Sequence, residues 1–303
     1  MSAAPFVVAT AIGVGIGLPP VLARARWPRR MPAVAVGLWL SLAATFVNAL
    51  ALTAYQVLAP DRGDAPRGML TALDVCAIDL ARGEGMAGVR GLLLVALVVA
   101  AWPLGWIAAV HAGTRRARRR HTDLLAVAAR PISGLLGASV LDHDVAAAYC
   151  LPGRRPQIVV TSAAMAQLSR DQLRAVLAHE HAHIRGRHHL MTAFVDGFAR
   201  AFPALPLARH AREQVRVLLE MVADDQALRR HRPVDLAAAM YKVASAQTPP
   251  SAFGAGGGEC LERMERLGEG TARPGRAFVA GLGVLVVIAP LVPLLLSCVS
   301  HHV

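Results

Sequence analysis

Four long apolar stretches constrain the fold of this 303-residue chain more than any other feature of its sequence. None has a charged residue in its core, and each is long enough to cross the roughly 30 Å hydrocarbon layer of a bilayer as a helix. Buried helices of soluble proteins rarely run so far without a polar face. A hydrophobic content of 55% and a mean hydropathy of +0.44 also exceed those of most soluble folds. The sequence therefore predicts a mainly α-helical membrane protein with four transmembrane helices, at residues 5–22, 32–58, 91–110 and 277–298.

The distribution of arginines predicts how these helices are oriented. Arginines follow the first stretch at residues 24–30, and the densest basic run follows the third stretch at residues 115–120. Because Lys and Arg concentrate in cytoplasmic loops, we expect the N-terminus and the C-terminus to lie outside a bacterial plasma membrane. A signal peptide has Lys or Arg before its apolar stretch. None precedes the first stretch here, so we expect this helix to be retained.

This orientation divides the chain into three parts. Residues 1–111 contain three transmembrane helices, with an outer loop at residues 59–90. Residues 112–276 form a cytoplasmic domain. Residues 277–303 form the fourth transmembrane helix and a short outer tail.

The net charge of +12 raises the question of nucleic-acid binding. Much of the basic excess lies beside the predicted membrane helices, where orientation and anionic lipid already account for it. We therefore expect membrane lipid as a partner and no direct contact with nucleic acid. The four cysteines lack the spacing of metal ligands. Cys150 and Cys260 are expected to be reduced thiols, whereas Cys76 and Cys298 lie near the predicted outer face, where a disulfide is conceivable.

The cytoplasmic segment shows the patterns of several helices and a small β element. Ser169 and Gln172 form a capping-box pattern, which predicts a helix from about residue 170 to residue 185. A Pro-Gly turn at residues 152–153 separates two extended pieces within residues 149–161, which predicts a hairpin or an edge strand. Further helices are predicted at residues 208–230, 235–247 and 261–267, with a loop at residues 248–258.

The first of these helices contains the pattern His-Glu-x-x-His. His179 and His183 stand four residues apart, so their imidazoles project from one face of the helix, one turn apart. Two imidazoles need this separation to bind the same zinc ion. Glu180 lies beside them and is expected to act as the catalytic base that takes a proton from the attacking water. The pattern predicts a zinc protease with one Zn²⁺ ion, for which a third ligand is needed.

Glu220 is the candidate for this third ligand. It lies on the next predicted helix, and Asp224 follows one turn later on the same face. Two His and one Glu leave an open fourth coordination position, which hydrolysis requires. Asp224 is then expected to accept a hydrogen bond from a ligand imidazole. In an alternative interpretation these two carboxylates form a solvated face and pair with Arg216 or Arg229.

Three further histidines crowd the same region. His181 lies on the wrong face of its helix to share the metal, so we expect it at the surface or behind a ligand. His188 could steady a developing oxyanion or a ligand, and a packing role fits it equally well. No role is predicted for His189.

Residues 168–190 resemble the BlaR/MecR family of membrane zinc peptidases. The run at residues 173–178 leads into the His-Glu-x-x-His pattern, and the resemblance extends to Glu220 with Asp224 and to three spans before the protease and one after it. It implies a gluzincin-like α+β zincin domain which, on a signal, leads to destruction of a cytoplasmic winged-helix repressor. It also implies that the strand at residues 156–161 precedes the active-site helix, and substrate backbone could add there as a further strand.

The best-known members of this family carry an extracellular penicillin-binding sensor domain after the last span. The sequence up to Val303 has no such domain, so we expect the signal to be sensed without covalent drug binding by this chain. A homodimer is a further alternative that the sequence leaves open.

Two other functions fit the same residues. A membrane quality-control or processing protease of the HtpX and CAAX-prenyl type also carries H-E-x-x-H followed by E-x-x-x-D. A non-catalytic zinc-bound membrane receptor would not need a base, so Glu180 argues against it. The arrangement of three spans before the domain and one after it favours the BlaR/MecR resemblance.

Overall fold

The computed structural model describes residues 4–58, 86–131, 138–153, 156–247, 257–269 and 275–299. Within these residues the chain is mainly helical and contains one small sheet. Several sequence predictions lie outside the described residues: Cys76 with nearly all of the outer loop, most of the loop at residues 248–258, the side chain of Cys298, and the tail beyond residue 299.

Four described helices are long and apolar enough to cross a membrane: Pro5–Arg24, Pro32–Ala54, Leu97–Ala126 and Ala277–Leu295. They overlap the four stretches predicted from the sequence. In the third and the fourth helix only 11% of the apolar 18-residue window is buried inside the protein, so most of its surface is free to contact lipid. These helices are compatible with a multi-pass membrane protein.

The N-terminal region consists of helices that differ from the prediction in two places. Its segments are α1 (Ala4–Ile12), a π-helical turn (Gly13–Gly17), α2 (Leu18–Arg24), α3 (Trp27–Arg30), α4 (Pro32–Leu58) and α5 (Met86–Ala128). The π-helical turn interrupts the first predicted span. The third predicted span, residues 91–110, is only part of α5, which continues through the arginine run to Ala128. Arg and Ala have high helix propensity, so the charges end the apolar stretch without ending the helix.

The sheet is mixed and has the strand order β1-β2-β4-β3. Its strands are β1 (Ala129–Pro131), β2 (Ala138–Leu141), β3 (Ala148–Leu151) and β4 (Gln157–Thr161). β3 and β4 pair antiparallel, which confirms the predicted hairpin, but β4 also pairs in parallel with β2. The strand addition that the family resemblance implies at residues 156–161 finds no free edge there, because β4 is paired on both sides and its β-branched residues are buried. β3 is the edge strand on this side.

The helices that follow the sheet are α6 (Ser162–Gln167), α7 (Arg170–Arg185), α8 (His188–Ala201), α9 (Pro206–Ala227), α10 (Pro233–Gln247) and α11 (Gly257–Glu269). The capping box of Ser169 and Gln172 is formed, so α7 has the predicted bounds. The other predicted helices agree within a few residues, and α9 ends at Ala227 rather than at residue 230. The prediction did not include α8, in which Asp196 and Gly197 interrupt the apolar periodicity. Near the C-terminus lie α12 (Arg276–Ile288), a 3₁₀ turn (Ala289–Leu291) and α13 (Val292–Val299).

One hydrophobic core joins the apolar helices to α8 and α9. Trp39 of α4, Phe198 of α8 and Leu218 of α9 are buried together in it. The antiparallel run of α8 along α5 is fixed at two points. The Trp102 indole N–H donates to the Ala201 carbonyl oxygen at 3.1 Å, and Gly197 lies directly against the backbone of Ile107. The helix that carries Glu220 is therefore packed directly on candidate membrane spans.

Candidate metal centre

Two helices, α7 and α9, position the candidate metal ligands. Leu173 and Leu177 of α7 are buried against Ile158 and Val160 of β4. Leu218, Leu219 and Met221 of α9 are buried in the core shared with the apolar helices. Since the apolar side of each helix is fixed in this way, the polar side of α7 faces the polar side of α9, and the carboxylate of Glu220 meets the two imidazoles.

The three donor groups lie at the distances expected of one metal site. His179 Nε2 is 3.1 Å from His183 Nε2. Glu220 Oε2 is 3.4 Å from His179 Nε2, and Glu220 Oε1 is 3.4 Å from His183 Nε2. Donor atoms about 2.0–2.1 Å from a tetrahedral zinc ion are roughly 3.3 Å apart. The residues present therefore fit one Zn²⁺ ion.

The other nitrogen of each imidazole also has a neighbour. His179 Nδ1 lies 3.0 Å from Asp224 Oδ1, and His183 Nδ1 lies 2.8 Å from His188 Nδ1. If both Nδ1 atoms carry hydrogen, both Nε2 lone pairs point to the place where a metal would bind. Burial, followed by the nearby His183, lowers the pKa of His188 to about 4, so His188 is a neutral acceptor at neutral pH. Gly186 leaves room for the His188 ring, since a Cβ there would collide with its Nε2.

An arginine that sequence reasoning missed holds the two carboxylates. The guanidinium of Arg263, on α11, donates two hydrogen bonds to Asp224, at 2.7 and 2.8 Å, and lies 3.0 Å from Glu220 Oε2. Burial opposes the charged form of Asp224, but Arg263 and His179 outweigh it and lower the pKa of this carboxyl. The alternative that Glu220 and Asp224 pair with Arg216 is wrong, because Arg216 binds Asp196 instead. Arg229, the other arginine of that alternative, is in no described ion pair with either carboxylate.

The comparison with known protein families covers the segment that contains this group of residues. Residues 112–241 match the family model of Peptidase family M48. The match supports a zinc metallopeptidase domain of a membrane-type family, without singling out the BlaR/MecR subfamily. No curated protein and no solved structure matches the chain.

The M48 match includes the two imidazoles, Glu180, Glu220 and Asp224, whereas Arg263 lies beyond its end. A signal for Arg263 was present in the sequence, because Arg263 and Arg266 share one face of the predicted amphipathic helix at residues 261–267. What the sequence could not supply was the partner, since Asp224 lies on a different helix.

Glu180, the base predicted from the His-Glu-x-x-His pattern, has an environment that suits a proton acceptor. Burial is the main influence on its carboxyl and raises its pKa above the ordinary value, although the two nearby imidazoles act in the opposite direction. The thiol of Cys150, on the edge strand β3, lies close enough to Glu180 for each group to influence the pKa of the other. Burial and Glu180 raise the pKa of Cys150 to about 12, so it remains a thiol at neutral pH. No sequence pattern pointed to Cys150.

His181, His188 and His189 are not among the three candidate metal ligands. His181 Nδ1 is 2.8 Å from the Leu177 carbonyl oxygen of its own helix, so its ring turns away from the metal ligands as its position on the helix predicted. His188 is buried and contacts His183, which makes it a group that orients a ligand. His189 lines a cavity between α5 and α8.

Proposed function

We propose that this chain is an integral-membrane zinc endopeptidase that hydrolyses a peptide bond of a cytoplasmic protein. The observation that carries the proposal is the convergence of His179, His183 and Glu220 at 3.1 to 3.4 Å beside the half-buried Glu180. A purely structural zinc site would have no use for an uncommitted carboxylate at this position.

The residues of the site divide the work of hydrolysis. A zinc ion bound by the three donors would supply Lewis acidity, which polarises a peptide carbonyl and increases the acidity of a water molecule. Glu180 takes the proton of the attacking water and passes it to the leaving amine. Because burial raises the pKa of Glu180 toward neutral pH, its carboxyl can both accept a proton and return it. The neighbouring Cys150 thiol acts on the Glu180 carboxyl as well, and its effect favours the charged form that accepts a proton.

The substrate main chain adds to the edge of β3. Among the described strands β3 (Ala148–Leu151) pairs only with β4, so its other edge is available for backbone hydrogen bonds. Cys150 of this strand is a neighbour of Glu180, so a strand added to β3 would lie near the candidate metal donors. The site of strand addition implied by the family resemblance thus moves from residues 156–161 to β3.

A winged-helix transcriptional repressor is the proposed substrate, cleaved when a signal arrives. The resemblance of residues 168–190 to the BlaR/MecR family supports this choice. The basic run at residues 115–120 supports a cytoplasmic location of the site by the positive-inside rule. Both termini then lie outside the plasma membrane.

A quality-control or processing protease is the second candidate. The M48 match favours it, because that match covers the peptidase segment without selecting the regulatory subfamily. The direct packing of α8 and α9 on candidate spans also suits a protease that takes substrates from the membrane.

The first experiment tests catalysis by the purified protein. Purified full-length chain with Zn²⁺ should cleave unfolded casein, and Glu180→Gln should reduce the rate by at least about a hundredfold. Glu213→Gln, at an exposed glutamate of α9, is the matched control and should retain the rate. Equal rates in all three proteins would refute the role of Glu180.

The substrate class is tested in cells that carry Glu180→Gln under inducing conditions. Mapping of new protein N-termini should then show loss of a cleavage within a DNA-binding repressor, which accumulates intact. Unchanged turnover of every repressor, with lost cleavages confined to misfolded membrane proteins, would overturn the repressor in favour of the second candidate.

A further inference from the structure

A basic cavity lies between the cytoplasmic part of α5 and the start of α8. Its volume is about 370 Å³, and Pro152, Gly153 and Pro156 line one side of it. Half of the residues that line it carry positive charge or can acquire it: His111, Arg115, Arg118, Arg187 and His189. None of the described residues that line it is acidic.

The positive charge of this cavity has no described counter-charge. Among the ion pairs of the described residues, none involves Arg115, Arg118 or Arg187, and the one side-chain hydrogen bond of Arg118 goes to the hydroxyl of Thr114. These positive charges act on His189, which lines the same cavity. Its pKa is lowered by burial first, and then by the charges of Arg118, His111 and Arg187. Three arginines that line one cavity without a described acidic partner, two of which disfavour the charged form of His189, form a site whose missing component is an anion.

The backbone adds to the same field. Arg187 has φ 49° and ψ 37°, the left-handed conformation, and it is the cap residue at the N-terminus of α8. It is the one non-glycine residue with positive φ in the described part of the chain. This conformation turns the chain sharply between α7 and α8, so the positive end of the α8 dipole lies beside the arginines.

The position along α5 matches the headgroup layer of a bilayer. Val110 is the last residue of the apolar stretch, and His111 follows it directly. Arg115 and Arg118 lie about 8 and 12 Å further along the helix, at a rise of about 1.5 Å per residue. Lipid headgroups occupy roughly 5–8 Å beyond the hydrocarbon on each side. Arg115 therefore lies at the outer border of this layer, and the Arg118 side chain must extend back by about 4 Å to reach a lipid phosphate.

We propose that this cavity is a binding site for a phosphate group, carried by an anionic lipid headgroup or by a soluble phosphate compound. Arginine suits this role because its planar guanidinium can donate two parallel hydrogen bonds to phosphate oxygens. The site is separate from the candidate metal ligands and does not depend on proteolytic activity. Its nearest links to them along the chain are Ile184, which lines the cavity and follows the candidate ligand His183, and Arg187, which precedes His188.

The test compares two triple variants of the full-length chain in neutral detergent. Arg115→Gln with Arg118→Gln and Arg187→Gln removes the three cavity charges. Arg116→Gln with Arg119→Gln and Arg120→Gln removes three exposed charges from the same helix, none of which lines the cavity. Native mass spectrometry measures binding of phosphatidylglycerol and of phosphatidylcholine, and calorimetry measures binding of inorganic phosphate.

The cavity variant should bind phosphatidylglycerol at least about tenfold more weakly than the unmodified chain, and the control variant should differ less than about threefold. Arg→Lys at the same three cavity positions keeps the charge and should restore part of the binding, which separates loss of the site from loss of folding. Binding of inorganic phosphate with the same dependence on the cavity would identify the phosphate itself as the ligand, and binding of the lipid alone would identify the headgroup in its membrane setting. Equal losses in both triple variants, or no binding of either probe to the unmodified chain, would overturn the proposal.

Discussion

His188 is the residue whose role changes most between sequence and structure. The sequence left oxyanion, ligand-steadying and packing roles open, and the 2.8 Å contact with His183 Nδ1 favours the second. A group that accepts the Nδ1 hydrogen fixes the tautomer and the orientation of a metal-binding imidazole.

We predict that His188→Ala lowers zinc affinity by about 10- to 100-fold. Gly186→Ala should act in the same direction, because its added methyl group displaces the His188 ring. His189→Ala is the control, since His189 follows His188 without contacting a ligand imidazole. Competition with a chromogenic chelator measures all three. An unchanged affinity in His188→Ala would mean that His188 only fills space.

The candidate ligands could be predicted from the sequence because each depends on local helical spacing. His179 and His183 are one turn apart, and Glu220 and Asp224 are one turn apart, so one-dimensional periodicity places each pair on a common face. Arg263 and Cys150 could not be predicted as parts of the site. Their contacts with Asp224 and Glu180 join distant segments, and no local pattern carries that information.

Helix α11 links the metal centre to the connection between the first two candidate spans. Arg263 binds Asp224, while Arg266 binds Asp225 and donates to the carbonyl oxygen of Arg29 at 2.7 Å. Glu262 of the same helix pairs with the Arg29 side chain. One short helix therefore contacts both the carboxylates of the site and the segment that follows the first span.

Helix α8 depends on one glycine for its close approach to α5. A Cβ at Gly197 would lie 2.7 Å from the backbone nitrogen of Ile107, and neither helix backbone can yield without moving as a whole. We predict that Gly197→Ala destabilises the protein by about 1–3 kcal/mol, seen as a lower melting temperature in detergent.

Gly113→Ala is the matched control for this prediction. Gly113 is helical and has open space around its Cβ position, so the substitution should be neutral or stabilising by up to about 1 kcal/mol. A melting temperature of Gly197→Ala equal to that of Gly113→Ala would contradict the packing of α8 on α5.

The sheet shows why strand pairing is harder to predict than strand location. Residues 149–161 were recognised as two extended pieces from their β-branched residues and the Pro-Gly turn. Whether β4 lies at an edge depends on β2, whose four residues give too short a pattern to recognise. The partners of a strand are set by distant segments, so the local pattern does not show which strand of the hairpin has a free edge.

The topology of the whole chain is predicted by its arginines. In a variant with serine at all four native cysteine positions, Asp64→Cys should react with a membrane-impermeant thiol reagent in intact cells. Ser251→Cys should react only after lysis. The opposite labelling pattern would place the candidate metal centre outside the cell.

The whole account depends on one metal ion held by His179, His183 and Glu220, with Glu180 left free. Zinc content per chain, measured by mass spectrometry of the purified full-length protein, tests this most directly. We predict about one zinc ion per chain in the unmodified protein and in Glu180→Gln, and loss of most of the zinc in His179→Ala and in Glu220→Ala. Full zinc occupancy in Glu220→Ala, or loss of zinc in Glu180→Gln, would contradict the assignment of ligands and base.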